Sequence, residues 1–315
     1  MTALGRPRIV FMFSGQGSQY YQMGRELYAR GGAFAAALDD AARMVDAANS
    51  ESILPRLYGS HGKAEPILDI ELSHPAIFTV EYAMARYLMD KCAIYPGAVM
   101  GVSLGVLTAA VVADCIKLPQ AIALVTAQAQ WLRDHGRPGG MIAVLGAPRP
   151  ARRSCSTLAA RNGPAHFVLS APQERLSFVE QHLRARGAMF LRLPVAYAFH
   201  SPWLALQETA PAALKTPAWS AALPMVCCVD GTISQGFATD YFRKVTQQPV
   251  CLDLALAAAE SIGPCRYLDL GPSGTLATSM RNALPAASGS TAHPTLSPYG
   301  STVSNVATIR RLLAA

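Results

Sequence analysis

The 315-residue sequence predicts an α/β protein: a parallel sheet with helices around it, and a smaller α+β subdomain inserted into that frame. Three observations carry this. "RIVFMFS" (8–14), "AVMGV" (98–102) and "RYLDLGP" (266–272) are short apolar runs leading into glycine turns, as strands buried on both faces do. Stretches with helical spacing of apolar residues follow them. Between the second and third runs, "HGRPGG" (135–140) breaks the texture, and a strand-helix-strand-helix-strand run of about 60 residues suits a small inserted unit.

Along the chain, the strand at 8–14 ends at Gly15-Gln16-Gly17, and helices are expected at roughly 20–29 and 32–47. "HPAIFTVEYAMARYLMDK" (74–91) has helical spacing with Pro75 at its first position. The strand at 98–102 leads into the apolar helix "LGVLTAAVVADC", and "AIALVTAQAQWLRD" (121–134) is another helix. The inserted unit reads as "MIAVLG" (strand), 149–161 (helix), "HFVLS" (strand), 173–186 (helix) and "MFLRLPV" (strand). From His200 the larger pattern resumes: a strand near 223–229, a helix near 251–261, the strand at 266–272, a helix near 275–283, a Ser/Thr/Gly/Pro-rich loop over 285–303 and a short helix at 304–313. The boundaries are therefore 1–137 with 200–315 for the large subdomain and 138–199 for the small one.

Composition narrows the function. Hydrophobic residues make up 51% and charged residues 15%, enough for a sizeable core. The formal charge of +7 is scattered, without a basic run interleaved with aromatics, so nucleic acid is not an expected partner and an acidic protein is. Seven cysteines, an odd number without a CxxC pair, read as reduced thiols of a cytoplasmic protein. The first residues lack a secretion-signal pattern, and the apolar run after Ser103 is interrupted by Asp114, too soon to span a bilayer.

The chemistry centres on "GVSLG" (101–105). A strand, a tight turn and a helix put the middle residue of Gly-x-Ser-x-Gly on a sharp elbow with its hydroxyl projecting from the sheet. The Leu104 N–H then lies at a helix N-terminus, able to donate to a developing oxyanion. A serine needs a base. Of the seven histidines, His61, His135, His182 and His293 read as surface residues, whereas His200 ends the extended segment "LPVAYAF" ahead of Ser201-Pro202. The Gly15-Gln16-Gly17 loop brings a backbone N–H close to a reacting carbonyl. As a phosphate loop it lacks the following lysine and the GxGxxG spacing.

"FSGQGSQYYQMG" (13–24), "GVSLG" (101–105), "AFHS" (198–201) and "LDLGPSGTL" (268–276), in this order and spacing, resemble the malonyl-CoA:acyl-carrier-protein transacylase family over about residues 8–283. The resemblance implies an α/β-hydrolase-like large subdomain with a ferredoxin-like small one. It makes Ser103 the acylated nucleophile, His200 its base, and the Gln16 and Leu104 N–H groups the oxyanion hole. A backbone carbonyl near 247–250 takes the place of a triad carboxylate.

The departures from that family bear on substrate. The family's Gly-His-Ser-x-Gly has Val102 in place of the histidine, and Val106 stands where Glu is common. The arginine that pairs with the malonyl carboxylate is replaced by Gln128. Arg133 lies five residues on, about 140° around the helix. His74 and His166 occupy the positions of two pocket glutamines, and Phe199 beside His200 is a further pocket residue. A malonyl carboxylate requires a charged partner, because an unpaired buried carboxylate costs several kcal/mol. A neutral acyl group is the expected substrate, unless Arg133 or Arg137 swings in. The loss of the arginine resembles a free-standing branch of the family, found with polyketide synthases lacking built-in acyltransferases, that removes stalled acyl groups from carrier proteins. The expected activity is thus thioester hydrolysis on an acyl carrier protein, which itself bears the phosphopantetheine, with no cofactor or metal of the chain's own. A transferase for malonyl or another acyl group, and a non-catalytic docking module, are the alternatives. Acyl chain length, the final acceptor and oligomeric state stay open.

Overall fold

The computed structural model describes residues 7–49, 51–146, 155–163, 165–204 and 219–314. β1 (Arg8–Phe13) is followed by α1 (Arg25–Ala29), α2 (Ala33–Asp46), α3 (Ile53–Leu57) and α4 (Ile70–Arg86), which runs into one π-helical turn over Tyr87–Lys91. β2 (Ala98–Gly101), α5 (Gly105–Val112) and α6 (Leu118–His135) come next. Then follow β3 (Gly139–Leu145), β4 (Thr157–Gly163), β5 (His166–Pro172), α7 (Gln173–Ala185) and β6 (Met189–Arg192). The last part holds β7 (Trp219–Cys227), β8 (Ile233–Phe237), α8 (Tyr241–Gln247), β9 (Val250–Cys251), α9 (Leu252–Glu260), β10 (Cys265–Asp269), α10 (Thr275–Ala283), β11 (Thr291–Pro294) and α11 (Thr302–Ala314).

Six strands form the larger sheet in the order β11-β10-β1-β2-β7-β8. All its pairings are parallel except β7 with β8. Val10 to Phe13 are fully buried, as apolar residues on both faces of a central parallel strand must be. One core, including Phe11, Phe13, Val99, Leu107 and Phe78, lies between this sheet and α2, α4 and α5. Another, including Val10, Met12, Met100, Leu132 and Leu256, fills the opposite face. Register pairs Phe13 with Gly101 and Met12 with Asp269, so the loops leaving β1, β2 and β10 open at the same edge of the sheet. This carboxyl edge is where open parallel sheets build their sites.

The smaller sheet has the order β6-β3-β5-β4-β9. Its first four strands are antiparallel, and α7 packs Leu176, Val179 and Leu183 onto Ile142, Val144, Phe167 and Leu169. This strand order matches the ferredoxin-like expectation. The two-residue β9 belongs to the returning chain yet pairs in parallel with β4, Val250 beside Ala160 and Cys251 beside Arg161. Arg161 also forms an ion pair with Asp253, 3.3 Å away, just beyond β9.

Several local expectations change. The helix expected over 149–161 is a strand from Thr157 on, and 149–154 lie outside the described residues. Pairing with β5 overrides the helical preference of "TLAAR". α4 begins earlier than expected, with the Asp69 side chain accepting from the Glu71 N–H at 2.9 Å as an N-cap. Pro75 therefore sits inside the helix, and the Glu71 carbonyl it cannot serve accepts from Asn49 Nδ2 at 3.4 Å. The stretch 285–303, expected as loop, contains β11, a short edge strand on β10. His61 and His135 are exposed as expected, whereas His182 and His293 are half-buried.

Candidate active site

The elbow forms where β2 meets α5. Ser103 has φ 55° and His200 φ 56°, both in the left-handed region that non-glycine residues rarely occupy. Two strained residues facing each other mark a site that the surrounding fold over-determines. The elbow closes onto β1: the Val102 N–H donates to the Phe13 carbonyl at 2.9 Å, and a Cβ at Gly105 would fall 2.3 Å from that same oxygen. Only glycine permits this approach.

His200 Nε2 lies 2.8 Å from Ser103 Oγ. Its Nδ1 lies 2.9 Å from the Gln248 carbonyl, within the stretch expected to supply one. A carbonyl only accepts, so Nδ1 carries the proton and Nε2 presents its lone pair to Ser103. Burial lowers the imidazole to about 4, hydrogen bonds to the Gln248 and Val245 backbone opposing the shift. At neutral pH it is an uncharged base. Gln16 and Leu104 lie on the loops flanking Ser103, and neither N–H donates to a backbone carbonyl among the described residues.

The Gln16 side chain reaches α4, where its Nε2 donates to Ser73 Oγ at 2.9 Å and to His74 Nδ1. His74 therefore holds its proton on Nε2. Its ring is fully buried, lowered to about 3 by that burial, and packs 5.9 Å from the Phe199 ring. Gln128 is buried, with Nε2 3.4 Å from Thr246 Oγ1. The Thr246 carbonyl accepts the His200 N–H at 3.3 Å, so Gln128 abuts the segment that seats the base. Val102 is half-buried and packs on the core at the elbow, and Val106 is buried in α5. His166 is not drawn in. Ser170 on β5 bonds the Phe199 carbonyl at 2.5 Å, while His166 lies four residues away, about 13 Å along an extended strand, 3.3 Å from Asn162 Nδ2.

The two arginines named as substitutes for the missing cation are engaged at the surface. Arg133 binds Glu71 at 2.6 Å and Asp134 at 2.7 Å, and Arg137 binds Glu174 at 2.6 Å. No cluster of three or more His, Cys, Asp or Glu able to hold a metal occurs among the described residues, and no helix among them is long and apolar enough to cross a membrane.

Sequence reasoning missed two buried groups here. Thr246 lies in "KVTQ", a stretch with no motif of its own. Glu81, fully buried on α4, bonds Ser14 and Thr108. A charged residue on the apolar face of "IFTVEYAM" was its available signal.

Known proteins agree with this architecture. The acyl transferase domain profile matches residues 10–306. The chain is 34% identical over 303 residues to the polyketide biosynthesis acyltransferase homolog BaeD of Bacillus velezensis, covering 92% of each chain. It is 30% identical over 309 residues to the homolog PksD of Bacillus subtilis, covering 96% of this chain and 95% of that one. Its fold superposes on a loading acyltransferase of the avermectin modular polyketide synthase with a TM-score of 0.85 at 24% identity, covering 98% and 100% of the two chains. By its fold, its motifs and these matches along nearly its whole length, the chain belongs to the acyl transferase domain family, among homologs of polyketide biosynthesis.

Proposed function

We propose that the protein is a thioester hydrolase that clears neutral, non-malonyl acyl groups from acyl carrier proteins in polyketide synthesis. The supporting observation is the buried neutral amide of Gln128 beside the segment that seats His200, with Arg133 and Arg137 tied to surface carboxylates. A neutral acyl group loses nothing there. A malonyl carboxylate would be desolvated without a partner, at several kcal/mol.

In this reading Ser103 Oγ attacks the thioester carbonyl while His200 Nε2 takes its proton. The Gln16 and Leu104 N–H groups receive the oxyanion. The imidazolium returns the proton to the departing phosphopantetheine thiol, which belongs to the carrier protein. Water then attacks the acyl-Ser103 ester with His200 again as base, and Ser103 leaves with the proton. The carrier protein is the expected partner and the cytoplasm the expected place of work, with no cofactor or metal of the chain's own. Val102, His74 and Phe199 shape the acyl side.

The second reading, a transferase that hands the acyl group to another thiol, shares every step up to the acyl-enzyme. Carrier protein loaded with acetyl or with malonyl, incubated with the enzyme and no second carrier, separates the two by intact mass. Loss of acetyl with malonyl retained is the expected result. Acetyl that stays until an empty carrier is added makes the protein a transferase.

A further inference from the structure

The loop that follows β1, "SGQGSQ" (14–19), is braced by its own polar side chains. Ser18 Oγ donates to the Gly15 carbonyl at 2.8 Å. Ser14 Oγ lies 2.8 Å from Ser18 Oγ and 2.9 Å from Glu81 Oε1, and the Ser14 N–H donates to that same carboxyl oxygen at 2.6 Å. The second carboxyl oxygen accepts from Thr108 Oγ1 at 3.0 Å, on the helix that begins at the Ser103 elbow. Gly17 N–H donates to Gln19 Oε1 at 2.7 Å. Ser14, Ser18 and Glu81 are all buried, so these bonds form without competing water.

The Gly15 carbonyl and the Gln16 N–H belong to one planar peptide group. Fixing the carbonyl oxygen fixes the direction of the N–H. A hydrogen bond to the oxygen also polarises the group and strengthens the N–H as a donor. The loop also passes close to the nucleophile: a Cβ at Gly15 would sit 2.8 Å from Ser103 Cβ, so only glycine fits there. We propose that Glu81, Ser14 and Ser18 are positioning residues for the oxyanion site: their hydrogen-bond relay aims the Gln16 N–H, and through Thr108 the same carboxyl ties that loop to the helix carrying Leu104. The inference rests on the reading of Gln16 and Leu104 as oxyanion donors.

The relay is continuous when the carboxyl is neutral. A neutral Glu81 donates to Ser14 Oγ, Ser14 donates to Ser18, and Ser18 donates to Gly15. An ionised Glu81 accepts the Ser14 hydroxyl hydrogen, which leaves the Ser14–Ser18 contact without a hydrogen and keeps only the Ser18 bond to Gly15. Burial raises this carboxyl to about 8, with the Asp269 carboxylate adding to the rise, and Ser14 and Thr108 hydrogen bonds opposing it.

The test is the acylation burst with p-nitrophenyl acetate, in which Ser103 Oγ bonds the acetyl carbon, p-nitrophenolate leaves and His200 holds the serine proton. Removing a whole oxyanion donor costs on the order of 10² in rate, and loosening one costs less. Ser18→Ala is expected to lower the saturating acylation rate about tenfold, with the half-saturating ester concentration within about twofold of wild type. Ser18→Thr, which keeps the hydroxyl, is expected to recover most of the loss. If Ser18→Ala does not fold, Ser14→Ala cuts the relay one bond earlier and reads the same step. An unchanged burst rate, a loss confined to the half-saturating concentration, or equal losses in Ser18→Ala and Ser18→Thr would overturn the proposal. A normal wild-type burst followed by a stable acetyl-enzyme would count against hydrolysis alone. No wild-type burst would overturn the nucleophile assignment and the relay with it.

Discussion

The two sides of Ser103 are built by different rules. On the side of the Gln16 loop and His200, position is enforced several times over: two residues in left-handed backbone, a carbonyl on Nδ1, a glycine pressed onto β1, and a buried relay of hydroxyls under the loop. The residues expected to meet the acyl group, His74 and Gln128, are buried and neutral, His74 bonded to the Gln16 amide and Gln128 to Thr246. The difference sets a geometry enforced several times over against a proposed selectivity that rests on a small number of uncharged side chains.

The sharpest way to break this comparison is to remove the machinery itself. Ser103→Ala or His200→Ala is expected to cut acetyl release from carrier protein by on the order of 10⁴-fold or more, and the double variant by little more than either alone. Losses that multiply in the double variant would show that the two residues do not act as a unit. A charge placed on the other side tests selectivity. Gln128→Arg is expected to move the malonyl-to-acetyl ratio of acyl-enzyme formation about a hundredfold toward malonyl, from the several kcal/mol at stake. Intact-mass trapping of the acyl-enzyme reads this, and an unchanged ratio would remove Gln128 as the determinant.

Acidity separates the sides further. Protonation of His200 silences the base, and burial holds it neutral down to about 4. The acid limb of kcat/KM is therefore expected near pH 4, not near the ordinary histidine value of 6.5. For stability the sign runs the other way at Glu81. Its folded value, about 8, lies above the ordinary 4.5, so its contribution is full below 4.5 and is lost as pH rises through 8. The thermal midpoint should fall between about pH 4.5 and pH 8, and Glu81→Gln should flatten part of that fall. The smallest effect expected is at Asp69, whose side chain caps α4, the helix that carries both His74 and Glu81. Asp69→Ala should cost about 1 kcal/mol in denaturant unfolding and leave kcat unchanged.

What could be read from the sequence was whatever a local pattern encodes. Apolar runs into glycine turns located β1, β2 and β10, and "GVSLG" located the elbow, because sharp turns demand particular residues. Elements whose cause lies elsewhere in the chain were not legible. β4 and β11 exist through their partners, and "TLAAR" and "TAHP" carry little strand signal of their own. Pro75 marked a helix start by habit, while the fold let Asn49 serve the orphaned Glu71 carbonyl. In the site, Ser103 and His200 were visible as motif residues. The carbonyl that orients His200 was expected only through the family resemblance, and Glu81, which braces the loop after β1, is distant in sequence from both.

The two-residue strand β9 carries a mechanical consequence. It lies two residues beyond Gln248, yet it is stitched to the edge of the smaller sheet and backed by the Arg161–Asp253 ion pair. The Ser170 bond to the Phe199 carbonyl is a second stitch on the opposite flank of His200. The smaller sheet is thus fastened to the chain on both sides of the catalytic imidazole. Swinging it away would draw His200 Nε2 off Ser103 Oγ, so the smaller sheet and the Ser103–His200 pair move as one piece.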